Sequence, residues 1–123
     1  MFTSDHGEFL GDYSCYGKRS FLDPAARIPL LARYPARFTP DTRCDQPVSL
    51  VDVFPTVIDN LKLTNHIDDR NLPGKSLIEI ANNQDDYERI VLSEYHAAAS
   101  PVGAFMLRKG KFKYVYFAEG YKP

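Results

Sequence analysis

Tryptophan is absent from the 123 residues, only two cysteines and two methionines occur, and neither sign of charge dominates. Each shortage excludes something. Two cysteines, Cys15 and Cys44, allow one disulfide at most, so a small scaffold held by a disulfide framework is ruled out and the redox compartment stays open. Fifteen basic residues against sixteen acidic ones leave a net charge of −1, which provides no global field to gather nucleic acid or an anionic membrane. No apolar run approaches the roughly 20 residues of a membrane span. Met1 leads straight into what reads as the end of a strand rather than into a charged segment and an apolar stretch, so no signal peptide is visible. The compartment stays open, with the cytoplasm slightly favoured. Internal repeats and low-complexity tracts are also missing.

What is present suits a piece of an α/β protein. Hydrophobic residues make up 44% of the chain and aromatic residues 13%, enough to bury one modest core. Residues 28–32 form a short apolar run suited to a buried strand, and 35–47, with three prolines, reads as a connecting loop. From Leu50 onward the apolar positions Leu50, Val53, Phe54, Val57, Ile58 and Leu61 follow a helical stripe, with Ser49 as N-cap and Asp52 in the favourable first turn. Pro55 conflicts with an unbroken helix, so either the helix proper starts near it or the first turn is kinked. The stripe is expected to be core, packed against a sheet. Pro73-Gly74 marks a turn, 76–81 a short helix and 82–88 a solvated acidic loop. Residues 90–94 read as a strand, and 104–107 with 112–117 as a β-hairpin across 108–111, where Gly110 supplies the positive φ.

Two stretches carry polar groups of chemical interest. In TSDHGE at 3–8, an Asp-His pair followed by glycine suits the C-terminal end of a buried strand, where a carboxylate oxygen and an imidazole nitrogen can face one divalent cation. Gly7 and Gly11 then let the chain turn away. Taken alone, Asp-His-Gly leaves a metal site and a polar surface loop equally open. The second stretch, KGKFKYVYF near the C-terminus, interleaves basic and aromatic residues in the manner of single-stranded nucleic-acid binders. The near-zero net charge argues against that use.

Six ordered blocks extend the first motif across nearly the whole chain. They are TSDHGE with LGDYSCYGK at 3–18, AARIPLLARYP at 25–35, PVSLVDVFPTVID at 47–59, PGKSL at 73–77, SEYHAAASPVGAF at 93–105 and LRKGKFKYVYF at 107–117. In this order they resemble the second half of the sulfatase family of the alkaline-phosphatase superfamily. The last two blocks are most similar to choline-sulfatase-like enzymes. The fold implied is α/β, the C-terminal part of an alkaline-phosphatase-like sulfatase fold, with residues 1–89 in the core and 90–123 opening an antiparallel β-hairpin or sheet subdomain.

By this resemblance Asp5 and His6 match the downstream pair of metal ligands, and Lys18 matches the catalytic lysine that touches the substrate sulfate. Calcium is the favoured cation, with manganese or magnesium as alternatives, because a nitrogen donor at His6 departs from an all-oxygen site. A cation and an ammonium suit sulfate-ester cleavage, in which the transferred group is a compact anion and the leaving alkoxide gathers charge. The block at 93–105 borders the active-site entrance in the resembling enzymes, which makes Glu94, Tyr95 and His96 candidates for choosing the organic part of the substrate. A core tyrosine with a partly exposed histidine at a strand end is the plain alternative. The family's early Asp-Asp pair and its CxPSR or CxAGR motif, whose cysteine becomes the formylglycine nucleophile, do not occur here. The chain is therefore expected to be the C-terminal portion of a sulfatase, inactive alone, with formylglycine supplied by the missing half and a small-molecule sulfate ester as partner. Alternatives are a phosphatase or phosphonate monoester hydrolase of the same superfamily, or a non-catalytic fragment. Strands lacking their usual neighbours, together with the stripe from Val53 to Leu61, point to self-association; neither nucleic acid nor membrane is expected as a partner.

Overall fold

A computed structural model of the chain describes residues 1–83, 88–96 and 102–118. The expected acidic loop lies partly, and the centre of the 93–105 block wholly, outside the described residues. Two compact units divide the chain, Met1–Phe38 and Thr39–Pro123.

The first unit is made of very short elements. Strand β1 (Phe2–Thr3) pairs antiparallel with β4 (Leu30–Leu31), matching Phe2 to Leu31 and Thr3 to Leu30. Between them, β2 (Phe9–Leu10) and β3 (Tyr16–Gly17) close a second antiparallel ladder around a 3₁₀ turn at Asp12–Ser14, and α1 (Asp23–Ala26) is a single turn started by Pro24. The expected strand at 28–32 thus shrinks to two residues, and it is not buried: Leu31 is 65% exposed. Pro29 supplies no N–H to a ladder, which cuts the strand at its start. Phe9 and Ala25 are the buried apolar residues of this unit.

In the second unit, Ser49 and Asp52 start the helix as their spacing predicts. The Ser49 N–H donates to Asp52 Oδ2 at 2.8 Å, a 3₁₀ turn covers Leu50–Asp52, and α2 runs over Val53–Asn60. Pro55 sits in the first turn of α2, where its missing N–H has no intrahelical partner to lose. The conflict it posed is settled by this short 3₁₀ lead-in. Helix α3 (Leu77–Asn82) begins at Ser76, whose Oγ accepts the Ile78 N–H at 3.2 Å.

The face α2 buries is not the apolar one. Phe54, Val57 and Leu61 are 43, 45 and 59% exposed, whereas Asp52 and Thr56 are 0 and 5% exposed. The expectation that the stripe is core is corrected by the hydrogen bonds. Thr56 Oγ1 donates to Asp52 O at 2.6 Å and accepts the Leu77 N–H at 2.8 Å, and Ser76 Oγ donates to Asp59 Oδ2 at 2.6 Å. The Leu77 N–H, an orphan donor at the start of α3, and the Ser76 hydroxyl are both satisfied by side chains of α2, and that requirement turns the polar side of α2 inward. Apolar burial in this unit comes instead from Leu77, Ile78 and Ile80 of α3 and from one face of the sheet.

That sheet has the order β5-β6-β7, all antiparallel, from β5 (Ile90–Tyr95), β6 (Ala104–Lys109) and β7 (Phe112–Phe117). Lys109 pairs with Phe112 across a two-residue turn in which Gly110 has φ +50°. The hairpin is the predicted one with its first strand two residues longer. Alternation puts Val91, Ala104 and Met106, all under 9% exposed, on one face, and Leu92, Leu107 and Tyr114 on the open one. Mixed helix and sheet agrees with the expected class at that level. Every strand pair among the described residues is antiparallel, however, and no pair here belongs to a parallel sheet.

Arg89 fixes where the sheet starts. Its guanidinium lies 2.7 Å from both carboxylate oxygens of Asp52, its Nε donates to Pro47 O at 2.9 Å, and its side chain is 9% exposed. The expected boundary at 89/90 falls inside the second unit, at a residue that ties the sheet to the start of α2. Removing one partner of a buried ion pair strands the other charge. Arg89→Met is therefore expected to lower stability by about 3–5 kcal/mol, read from urea unfolding; a loss below about 1 kcal/mol, the range of an exposed pair, would contradict this.

Candidate active site

Asp5, His6 and Lys18 meet in the first unit. Strand β1 ends at Thr3, whose Oγ1 donates to Pro29 O at 2.9 Å, and Ser4 to Gly7 then form a sharp exit. Gly7 locks that exit against α1: its N–H donates to Ala25 O at 2.8 Å, and a Cβ at this position would lie 2.0 Å from Pro24 O. Glycine is needed here for close approach, not for a positive φ. The β2–β3 hairpin carries the chain out and back, so Lys18, directly after β3, returns to His6.

The contacts settle which nitrogen of His6 is free. Nδ1 lies 2.8 Å from Gly7 O, and a carbonyl can only accept, so Nδ1 carries the proton. Nε2 keeps the lone pair. Lys18 Nζ donates to it, and Asp5 Oδ2 lies 3.3 Å from the same nitrogen. Asp5 Oδ1 in turn accepts the His6 N–H at 3.0 Å and the Ser4 hydroxyl at 3.3 Å, while Ser4 Oγ also reaches His6 O at 2.8 Å. Hydrogen bonding from its own backbone N–H, reinforced by His6 and Ser4, holds the Asp5 carboxyl below its ordinary value of 3.8. It is an anion at neutral pH and can only accept.

A carboxylate oxygen and an imidazole lone pair directed to one side are two donors of a divalent-cation site, and the Nδ1–H···O=C bond is the usual way a ligand histidine is oriented. The residues present fit that role in part. Among the described residues no third His, Cys, Asp or Glu joins them, so six to eight ligands for calcium are not assembled here. Asp5 is 81% exposed and His6 37%, which leaves the pair open to further ligands. The motif pointed to Asp5 and His6, but not to the Gly7 carbonyl that selects the tautomer or to the Ser4 hydroxyl that braces the carboxylate. Ser4 lies inside the TSDHGE motif, yet its bonds depend on a turn visible only in three dimensions.

The residues proposed to choose the substrate separate in the sheet. Glu94 and His96 share the open face, with Oε2 and Nε2 3.5 Å apart, while Tyr95 points to the other face by alternation. His96 does not stack on its neighbour Tyr95. It meets Phe105 edge-on at 5.2 Å, and Phe105 lies 6.4 Å from Tyr116, to which it is paired in register. Phe105 and Tyr116 join this cluster through strand register, which no local motif reveals.

Residues 11–122 match the family described as "N-sulphoglucosamine sulphohydrolase, C-terminal", and the chain belongs to that family. Arylsulfatase K of Rattus norvegicus is 30% identical over 128 residues, covering 98% of this chain and 22% of the rat protein. Choline-sulfatase of Rhizobium meliloti (strain 1021) is 36% identical over 118 residues, covering 96% of this chain and 22% of its own length. Arylsulfatase K of Danio rerio is 31% identical over 125 residues, with 98% and 23% covered. The chain thus spans less than a quarter of these curated relatives.

The lock at Gly7 can be tested directly. Gly7→Ala forces a methyl group into Pro24 O and is expected to cost about 1–3 kcal/mol, as overpacking does, and to shift the His6 ring nitrogens in ¹⁵N spectra. Unchanged melting and unchanged His6 resonances would show that the exit loop tolerates a side chain.

Proposed function

We propose that this chain supplies the downstream half of the active site of a metal-dependent sulfatase, a sulfuric ester hydrolase. The observation that carries it is the convergence of Asp5, His6 and Lys18 on one nitrogen, within a chain whose relatives are named sulfatases. Asp5 and His6 would hold the divalent cation, calcium by preference, and that cation when bound supplies Lewis-acid polarisation of a sulfate oxygen. Lys18 binds the sulfate and offsets charge on its oxygens as the ester bond breaks. Gly7 and Ser4 hold His6 and Asp5 in the required orientation. The nucleophile is expected to be a formylglycine elsewhere in the parent protein, since the chain contains no CxPSR or CxAGR motif. Glu94 and His96 take part in choosing the organic portion of the ester; a carboxylate beside the Phe105 and Tyr116 rings suits an organic cation, in keeping with a relative named choline-sulfatase.

Sulfate and phosphate esters present similar tetrahedral anions, so a phosphatase or phosphonate monoester hydrolase is the competing enzyme reading. Comparing aryl sulfate with aryl phosphate on the full-length enzyme separates them. In that enzyme Lys18→Ala is expected to lower kcat at least about a hundredfold, the effect of losing one oxyanion-stabilising group, with its melting temperature unchanged. Near-normal turnover would make Lys18 a surface lysine. The 123-residue chain alone is expected not to turn over either ester, because binding groups do not replace a nucleophile.

A second reading, self-association of the chain, is supported by the exposure of Phe54, Val57 and Leu61 on α2 and of Leu92, Leu107 and Tyr114 on the open sheet face. Light scattering should then give a mass above the 14.0 kDa of one chain. A monomer that binds no hydrophobic dye would remove this reading.

A further inference from the structure

We propose that Lys18 and a divalent cation exclude one another at His6 Nε2, so that loading the cation is what frees Lys18 to meet the anion. This rests on the metal reading of Asp5 and His6 above. With Nδ1 committed to the Gly7 carbonyl at 2.8 Å, a neutral His6 has one remaining lone pair, on Nε2. Lys18 Nζ donates to that lone pair. A ligand nitrogen that is accepting a hydrogen bond in the ring plane cannot coordinate a metal along the same direction, so the two occupants are alternatives.

Charge sharpens the exclusion. Asp5 Oδ2 lies 3.3 Å from Nε2, so a cation held by both groups would stand beside the ammonium with a 2+ to 1+ repulsion. The lysine can leave cheaply. It is exposed, follows directly on β3, and carries a flexible four-carbon stem, so side-chain rotation suffices and the backbone of the hairpin need not move. Two consequences follow. Lys18 acts as an internal counter-charge for Asp5 when it sits on His6, and cation and sulfate binding become coupled, because the step that admits the first releases the ligand of the second. Such coupling is reciprocal: each raises the affinity for the other by the same factor.

The test uses the 123-residue chain with Mn²⁺ alone, without substrate or turnover. Manganese affinity is measured by water-proton relaxation and calorimetry for the wild type, Lys18→Met and Arg19→Met. Arg19 is an exposed cation one residue away that makes no hydrogen bond or ion pair with His6, so its removal controls for general charge. Lys18→Met is expected to bind Mn²⁺ at least about threefold tighter than the wild type, the equivalent of one ordinary hydrogen bond, while Arg19→Met stays within about twofold. In ¹⁵N spectra Lys18→Met should move the His6 Nε2 resonance and leave Nδ1 in place. Equal gains in the two variants, weaker binding by Lys18→Met, or an unmoved Nε2 would overturn the exclusion. A moved Nε2 with manganese bound by neither protein would show that Asp5 and His6 hold no cation in this chain, and would remove this inference.

Discussion

One buried carboxylate organises the second unit. Asp52 is fully buried and accepts from Ser49 N–H, Lys75 N–H and, on both its oxygens, from Arg89 Nη2, all within 2.8 Å. Those bonds bring together the entry of α2, the approach to α3 and the start of β5, which lie far apart in sequence. The carboxylate cannot be buried without these donors, and the donors come from segments with little other reason to converge. Thr56 and Ser76 extend the same logic, closing the space between α2 and α3 with hydroxyls. A helix with a good apolar stripe therefore turns its polar side inward, and its register follows from hydrogen-bond satisfaction more than from area.

The first unit works on an opposite principle. It has little core beyond Phe9 and Ala25, its ladders are two residues each, and its polar groups are exposed or half-buried. Precision at Asp5 and His6 comes from backbone contacts: Gly7 against Ala25 and Pro24, Thr3 against Pro29, and the Gly7 carbonyl on the imidazole. The first two hold the backbone on either side of the pair, and the third holds the imidazole ring itself. Exposure and orientation coexist because the orienting partners are main-chain atoms.

Much of this was legible beforehand. The 3–18 stretch named Asp5, His6 and Lys18, and all three meet as a group. Ser49, Asp52 and Gly110 were read as cap, first-turn acid and turn residue from their chemistry, and they hold those places. Local signals of this kind survive because cap and turn preferences depend on neighbours a few residues away. Readings that needed a distant partner fared differently. The strand expected at 28–32 kept two residues, and most of the stripe on α2, Leu50, Phe54, Val57 and Leu61, stayed exposed.

What the sequence determined by itself is the family, the helices and strands of the second unit and the residues at their caps and turns, because each is written in residue types at short spacing. Tertiary structure decided the addition of Phe105 and Tyr116 to the cluster of Glu94 and His96, and the union of Asp52 with Arg89. Each of these depends on strand register or on a side chain arriving from elsewhere in the chain. The physical reason is common to both: a hydrogen-bond partner or a ring neighbour distant in sequence leaves no periodicity, only a consequence in space.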